Sequence, residues 1–435
     1  MTREDRIQLI SSITKNQVFS NGQQGRRLRY QGESKDFKVF EIPLGALIYN
    51  VENGRISSFV KSFQKQKGTL DPEKPEGFEK IAKFLYDSAP EQNKRTREDI
   101  AKCGQMEPGI ITADGVIVDG NRRVSLMWEI INDKNTPADV KAKCEKFRTV
   151  VLPENASKKD IIRLETTYQL GADEKVGYNP IEKYLHARDM QELGFSVAEI
   201  EEYMNEKSGK VQELLEVVEL IDQYLTSCDC EGIYTRMPDG FEDDLLKLNT
   251  AIKKIRKGAI SWIPNNKLPK VENDLKTVCY DYMRLNMKSA DGFDFRLILQ
   301  TAGGNFLQNE DVWNNFVEGW QNATDDVEEQ SIDELVDEAK DAGDLERLLN
   351  KRDNEWKKQV KEPMKDAFKN AKDIIENQRE KEKPNALLRK VINALRGIEL
   401  ETIYRTPDKS ELENQMIEIH SLCSDIERAI QSNNE

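Results

Sequence analysis

Apolar and polar positions interchange over residues 37–42 and stop at Pro43, which predicts a strand. A second short apolar run, Ile110-Ile111-Thr112, is separated from Val116-Ile117-Val118 by Asp114-Gly115, a pair that favours a tight hairpin. Asp119-Gly120-Asn121 breaks the returning strand. Residues 122–131 then place Val124, Met127, Trp128 and Ile131 at helical spacing. Residues 147–152 read as a further strand. Residues 56–88 read as helical with breaks at Asp71-Pro72 and Pro75, and residues 96–103 as a short helix ending at Gly104. The pattern predicts a small α+β domain over residues 37–156.

Beyond Ala156 the period becomes helical. Residues 158–170, 179–193, 196–205 and 209–226 carry apolar positions at i, i+3 and i+4, and Ser196 with Glu199 forms a capping box, giving a helical domain over 157–230. A further helical domain is expected over 231–322, with helices at 240–258 and 268–287. Its aromatic residues Phe293, Phe295, Phe306, Trp313, Phe316 and Trp320 are expected as buried anchors rather than a base-stacking surface. Residues 323–435 form an acidic helical C-terminal region, with helices predicted at 345–380, 384–400 and 409–432. In the last of these Met416, Ile419, Leu422, Cys423, Ile426 and Ile430 form one stripe, either a packing face or an oligomer seam. Residues 1–36 read as a polar N-terminal arm whose cluster Arg26, Arg27 and Arg29 is either solvated or a phosphate clamp.

Composition narrows the function classes. Of 435 residues, 37% are hydrophobic and 33% charged, and no apolar run approaches the length of a membrane span. The start, residues 1–10, lacks the apolar run of a secretory signal, and six irregularly placed cysteines make no disulfide framework, so a reducing cytoplasm is the expected compartment. The net charge of −14 is unevenly spread: residues 1–150 hold 26 Lys/Arg against 21 Asp/Glu, and residues 151–435 hold 39 against 58. The first part attracts phosphates locally while the rest repels them at long range. A surface that coats DNA without specificity would be basic throughout.

Gly120-Asn121-Arg122-Arg123 stands between a strand and a helix. A glycine there permits close backbone approach, a helix N-terminus offers unpaired amides and partial positive charge, and two guanidiniums suit phosphate oxygens. The segment is an anion cradle by this reading; the plainer one is a hairpin–helix turn with two surface arginines.

An ordered series of segments resembles the ParB/sulfiredoxin-like superfamily. Ile42-Pro43 followed by Asn53-Gly54-Arg55 is similar to the opening strand and arginine box of ParB N-terminal domains. Gly104-Gln105 with Pro108 resembles the segment leading into the next strand. Gly120-Asn121-Arg122-Arg123, preceded by Asp119, resembles the phosphate-binding box in its Asp-Gly-Asn-Arg-Arg variant. Glu165-Thr166 falls where ParB proteins carry a Glu-Asn motif. Asn179-Pro180-Ile181-Glu182 matches the opening of the next helix, and residues 194–200 resemble the start of a ParB helix-turn-helix. The series covers roughly residues 37–226.

The resemblance implies an α+β ParB/sulfiredoxin-like domain followed by a large all-α region. It implies a nucleoside triphosphate, CTP or ATP, with Mg²⁺. Arg55, Gly120, Asn121, Arg122 and Arg123 would bind the phosphates, and Gly104, Gln105 and Thr166 would lie beside them. Glu165 would be the catalytic and metal-holding carboxylate. Lys207, Lys210 and Gln212 would be the DNA-contacting positions at the start of a recognition helix. Outside the resemblance, the helical C-terminal half is expected to engage a second copy or a partner protein. Departures are plain: Asn121 stands in place of the box's glutamate, Thr166-Thr167-Tyr168-Gln169 follows Glu165, and residues 210–225 carry Glu213, Glu216, Glu219 and Asp222, the wrong sign for a DNA groove. Hydrolysis is left open by these changes.

Three functions follow as expectations. The first is a nucleotide-binding, DNA-associated switch or NTPase serving plasmid or chromosome maintenance or phage defence. The second is a metal-dependent nuclease using Glu165 with Asp114 and Asp119. The third is an interaction scaffold with a degraded nucleotide site. Cys228-Asp229-Cys230 lacks the partners of a zinc site, and His186 is expected on a helix surface, so histidine-based triads are disfavoured.

Overall fold

The computed structural model describes residues 1–16, 25–169, 180–287, 293–300, 305–339, 342–405 and 409–432. The chain opens with helix α1 (Arg3–Asn16) and an antiparallel hairpin of β1 (Arg26–Tyr30) and β2 (Glu33–Phe37). The polar arm expected over residues 1–36 therefore carries ordered elements. In β1 the side chains of Leu28 and Tyr30 are buried while Arg27 and Arg29 are not, the period-two pattern of a half-buried strand. Ile10 of α1 enters the core, and buried Arg6 donates to Glu73 at 2.6 Å and to the Asp114 carbonyl at 3.1 Å.

Next come β3 (Val39–Pro43), α2 (Ser57–Lys67), α3 (Pro75–Asp87), α4 (Pro90–Cys103), β4 (Gly109–Ile111), β5 (Ile117–Asp119), α5 (Asn121–Asn132), α6 (Ala138–Ala142) and β6 (Lys146–Val151). The sheet order is β3-β6-β4-β5, with β4 parallel to β6 and the other pairs antiparallel. The Asp114-Gly115 hairpin is present, and Asp119 ends β5 instead of following it. One face of the sheet buries Ile42, Ile111, Ile117 and Phe147 against α1 to α5; the other buries Val39, Ile110, Val118 and Val150 against β1 and α7 (Lys158–Gln169).

The remainder is helical: α8 (Pro180–Glu192), α9 (Val197–Met204), α10 (Lys210–Ser227), α11 (Phe241–Arg256), α12 (Leu268–Leu285), α13 (Arg296–Leu299), α14 (Glu310–Thr324), α15 (Ile332–Glu338), α16 (Ala342–Arg396), α17 (Leu400–Arg405) and α18 (Ser410–Ser432). The capping box of Ser196 and Glu199 is formed. The expected aromatic anchors are all buried, with Phe293, Phe306 and Phe316 meeting around Phe368. The break expected before Pro384 does not occur, because α16 runs through it. Residues 383–387 are exposed, so the carbonyl that loses its helical partner is open to solvent. Two compact units result, Met1–Phe368 and Lys369–Glu435. Among the described residues no helix is long and apolar enough to cross a membrane.

Candidate functional site

β5 passes into α5 through Gly120, whose φ of 116° lies where only glycine is comfortable. Asn121 occupies the first helical position and is buried. Its Nδ2 donates to the Ile117 carbonyl at 3.0 Å, and its Oδ1 accepts the Asn50 backbone amide at 3.0 Å. An amide side chain can do both at once, which a carboxylate could not. The loop that carries Asn50 is aligned on β5 by a bridge between Ile48 and Val116.

Glu165 closes this arrangement from α7. One carboxyl oxygen accepts the Gly54 amide at 2.9 Å, and the other accepts Asn50 Nδ2 at 3.2 Å. Burial raises its pKa to about 8; the Gly54 amide opposes the shift, and nearby Glu52 and Asp119 add to it. The three segments singled out in the sequence, at 53–55, 120–123 and 165, are thus one hydrogen-bonded unit. Asn53 belongs to it too: fully buried, it accepts the Arg55 amide at 3.0 Å, while its Nδ2 has no partner.

The arginines are held in different ways. Arg123 donates to Asp119 at 3.1 Å and to the Glu107 carbonyl, while Arg26 reaches the same Asp119 oxygen at 3.0 Å and lies 4.9 Å from the Tyr168 ring centre. Two guanidiniums therefore share one carboxylate. Arg122 donates to Asn93 at 2.8 Å, and Arg55 is near enough to Glu165 to favour its ionised form. These four arginines stand near three carboxyl groups, those of Glu165, Asp119 and Glu52. Of the cluster expected as solvated or as a phosphate clamp, Arg26 is the member that reaches this site, while Arg27 and Arg29 are exposed.

Other expectations are redirected. The room expected beside Gly120 is filled by Phe147: a Cβ at Gly120 would lie 2.5 Å from that ring. Gly104 caps α4 at φ 73°, and buried Gln105 is spent on the Arg148 backbone and the Glu107 carbonyl. Thr166 is fully buried and faces His186, with Oγ1 2.7 Å from Nε2. His186 is therefore not on a helix surface; desolvation lowers its pKa to about 4, so it is neutral. Asn179 lies outside the described residues. Glu182 is buried and accepts the Ser58 amide at 3.0 Å and the Ser58 hydroxyl, capping α2.

The unburied face of α10 carries Glu213, Glu216, Glu219 and Asp222. The helix buries nine of its eighteen side chains. Lys207 precedes it and is exposed, but Lys210 is paired with Glu213, and Gln212 shares its exposed strip with Glu219. No cation on that strip faces outward to meet phosphates or base edges.

As a Mg²⁺ ligand Glu165 does not fit this arrangement, being enclosed, neutral at pH 7 and hydrogen-bonded through both oxygens. Among the described residues no group of three or more His, Cys, Asp or Glu side chains could hold a metal. Asp114 accepts from Thr112 and Arg3 at the hairpin turn. Cys228 and Cys230 are buried thiols with raised pKa values. No protein-family model matches the chain, and no curated protein matches it.

Proposed function

We propose that the junction of the loop at 50–55, the first turn of α5 and Glu165 binds a nucleoside triphosphate, CTP or ATP, as a ParB-like conformational switch. The observation that supports this reading is the shared bonding of Glu165: its carboxyl ties the loop of the α/β lobe to the first of the succeeding helices. A ligand that moved the loop would move α7 with it. The local excess of guanidinium over carboxylate favours a polyanion, and the unpaired Asn53 Nδ2 offers a buried donor.

Binding has a definite cost. Phosphate oxygens must take Arg123 from Asp119, exchanging one charge-assisted pair for another, and the gain is the higher charge of the phosphates together with the amides at the start of α5. Glu165 acts as a positioning carboxyl in this scheme. No hydrolytic step follows from its geometry. Calorimetric titration with CTP, ATP and GTP, with and without Mg²⁺, tests the reading. Saturable binding of one of them, weakened by Arg123→Ala, supports it. No heat and no thermal shift with any of the three overturns it.

A further inference from the structure

Fifteen large hydrophobic side chains are exposed among the described residues, and twelve of them lie between Leu387 and Ile430. This concentration is confined to the unit Lys369–Glu435. Scattered exposed leucines need no explanation, but a concentrated apolar surface marks a place of association. Seven of the twelve fall on two helical stripes, Leu387, Val391, Ile392 and Leu395 on α16 and Met416, Ile426 and Ile430 on α18.

The pattern is ordered in both helices. In α18 Leu412, Met416, Ile419, Cys423, Ile426 and Ile430 follow alternating steps of four and three residues, the heptad seam of a left-handed coiled coil. In the last turns of α16 Leu388, Val391 and Leu395 repeat that spacing, and Leu387 and Ile392 widen the stripe. Charge distinguishes the two. Residues 378–396 carry six Lys/Arg and two Glu; residues 410–432 carry one Arg and five Asp/Glu. One stripe is framed by positive charge and the other by negative. Their lengths correspond as well, about 28 Å and about 34 Å at the helical rise.

We propose that the occupant of these stripes is a second copy of the chain, with α18 of each copy lying on the α16 tail of the other. A chain that carries both a basic and an acidic apolar stripe is self-complementary about a two-fold axis: whatever the first helix of one copy contacts on its partner, the partner contacts in return. Like helices paired with like would instead juxtapose equal charges, at a cost. The proposal concerns this unit alone and stands apart from nucleotide binding.

Two charge-reversed full-length variants decide it by light scattering coupled to size-exclusion chromatography. One carries Arg389→Glu, Lys390→Glu and Arg396→Glu; the other carries Glu413→Lys, Glu418→Lys and Glu427→Lys. All six side chains are exposed, and circular dichroism checks that helix content is kept. The wild type is expected at twice the mass of the chain. Each variant alone is expected as a monomer, because both of its stripes then bear one sign. Mixing the two is expected to restore a dimer containing one copy of each. A wild type that stays monomeric across a concentration series overturns the proposal. So do variants that dimerise as the wild type does, or a mixture that stays monomeric, the outcome for a hairpin closed within one chain.

Discussion

Glu165 and Gly54 are bound across 111 residues of sequence, the carboxyl of one accepting the amide of the other at 2.9 Å. The pair joins α7 to the loop after β3, and its strength depends on protonation. The folded pKa of Glu165 is about 8, against an ordinary 4.5. The native state therefore holds a proton that the unfolded chain releases between those values. Its contribution to stability is fully present below pH 4.5 and is lost as pH rises through 8, with a slope of up to about 1.4 kcal/mol per pH unit. Glu165→Gln keeps an acceptor for Gly54 and does not titrate. Urea unfolding from pH 5 to 9 should show a shallower decline for the variant. Identical slopes would mean that Glu165 is not the protonated group.

Asp119 is shared by Arg26 and Arg123, so it competes with any phosphate for the site. Asp119→Asn removes that competitor and should tighten triphosphate binding several-fold. Arg123→Ala should weaken it by about tenfold or more, the ~1.5–3 kcal/mol of a hydrogen bond to a charged group. Competition of this kind is sensitive to salt, and the gain from Asp119→Asn should shrink as ionic strength rises. Weaker binding in Asp119→Asn would place the phosphates elsewhere.

Gly120 faces Phe147 so closely that a methyl group has no room, and its backbone is left-handed as well. Gly120→Ala is expected to cost ~2–4 kcal/mol, from overpacking and strain together. The two causes separate in a double-mutant cycle with Phe147→Leu. That substitution costs about 1 kcal/mol alone and should recover part of the Gly120→Ala loss by removing the overlap. Strict additivity in thermal or urea unfolding would assign the whole loss to backbone strain.

Legibility in the sequence followed locality. The Asp114-Gly115 hairpin, the capping box at Ser196 and α5 depend on neighbours within a turn or two, and each was readable. The convergence of Asn50, Asn121 and Glu165 has no local signal, since no local pattern links a loop to a helix so far along the chain, and Asn50 was not singled out. Residues 26–30 misled because three arginines outweighed the alternation of Leu28 and Tyr30, which marks a strand with one buried face. His186 misled because a polar residue on a helix reads as exposed until its partner Thr166 is in view.

Glu182 shows how far a cap can come from the helix it serves. α2 has no side-chain cap at its own N-terminal boundary. The carboxyl of Glu182, 124 residues on, accepts the Ser58 amide and hydroxyl instead. Burial lifts its pKa to about 7; the bonds from Ser58 and the Ser57 amide hold it from rising further. Removing the carboxyl strands donors at a buried helix end. Glu182→Ala should therefore cost ~2–3 kcal/mol, as expected for loss of a charge-assisted cap inside a protein. Glu182→Gln keeps one acceptor and should cost about 1 kcal/mol. Hydrogen exchange supplies a local readout: the Ser57 and Ser58 amides should lose protection in Glu182→Ala by more than global destabilisation explains. Unchanged protection at those two amides would show that α2 does not depend on Glu182, and that the contact between α2 and α8 rests on apolar packing and the Lys61–Asp189 pair.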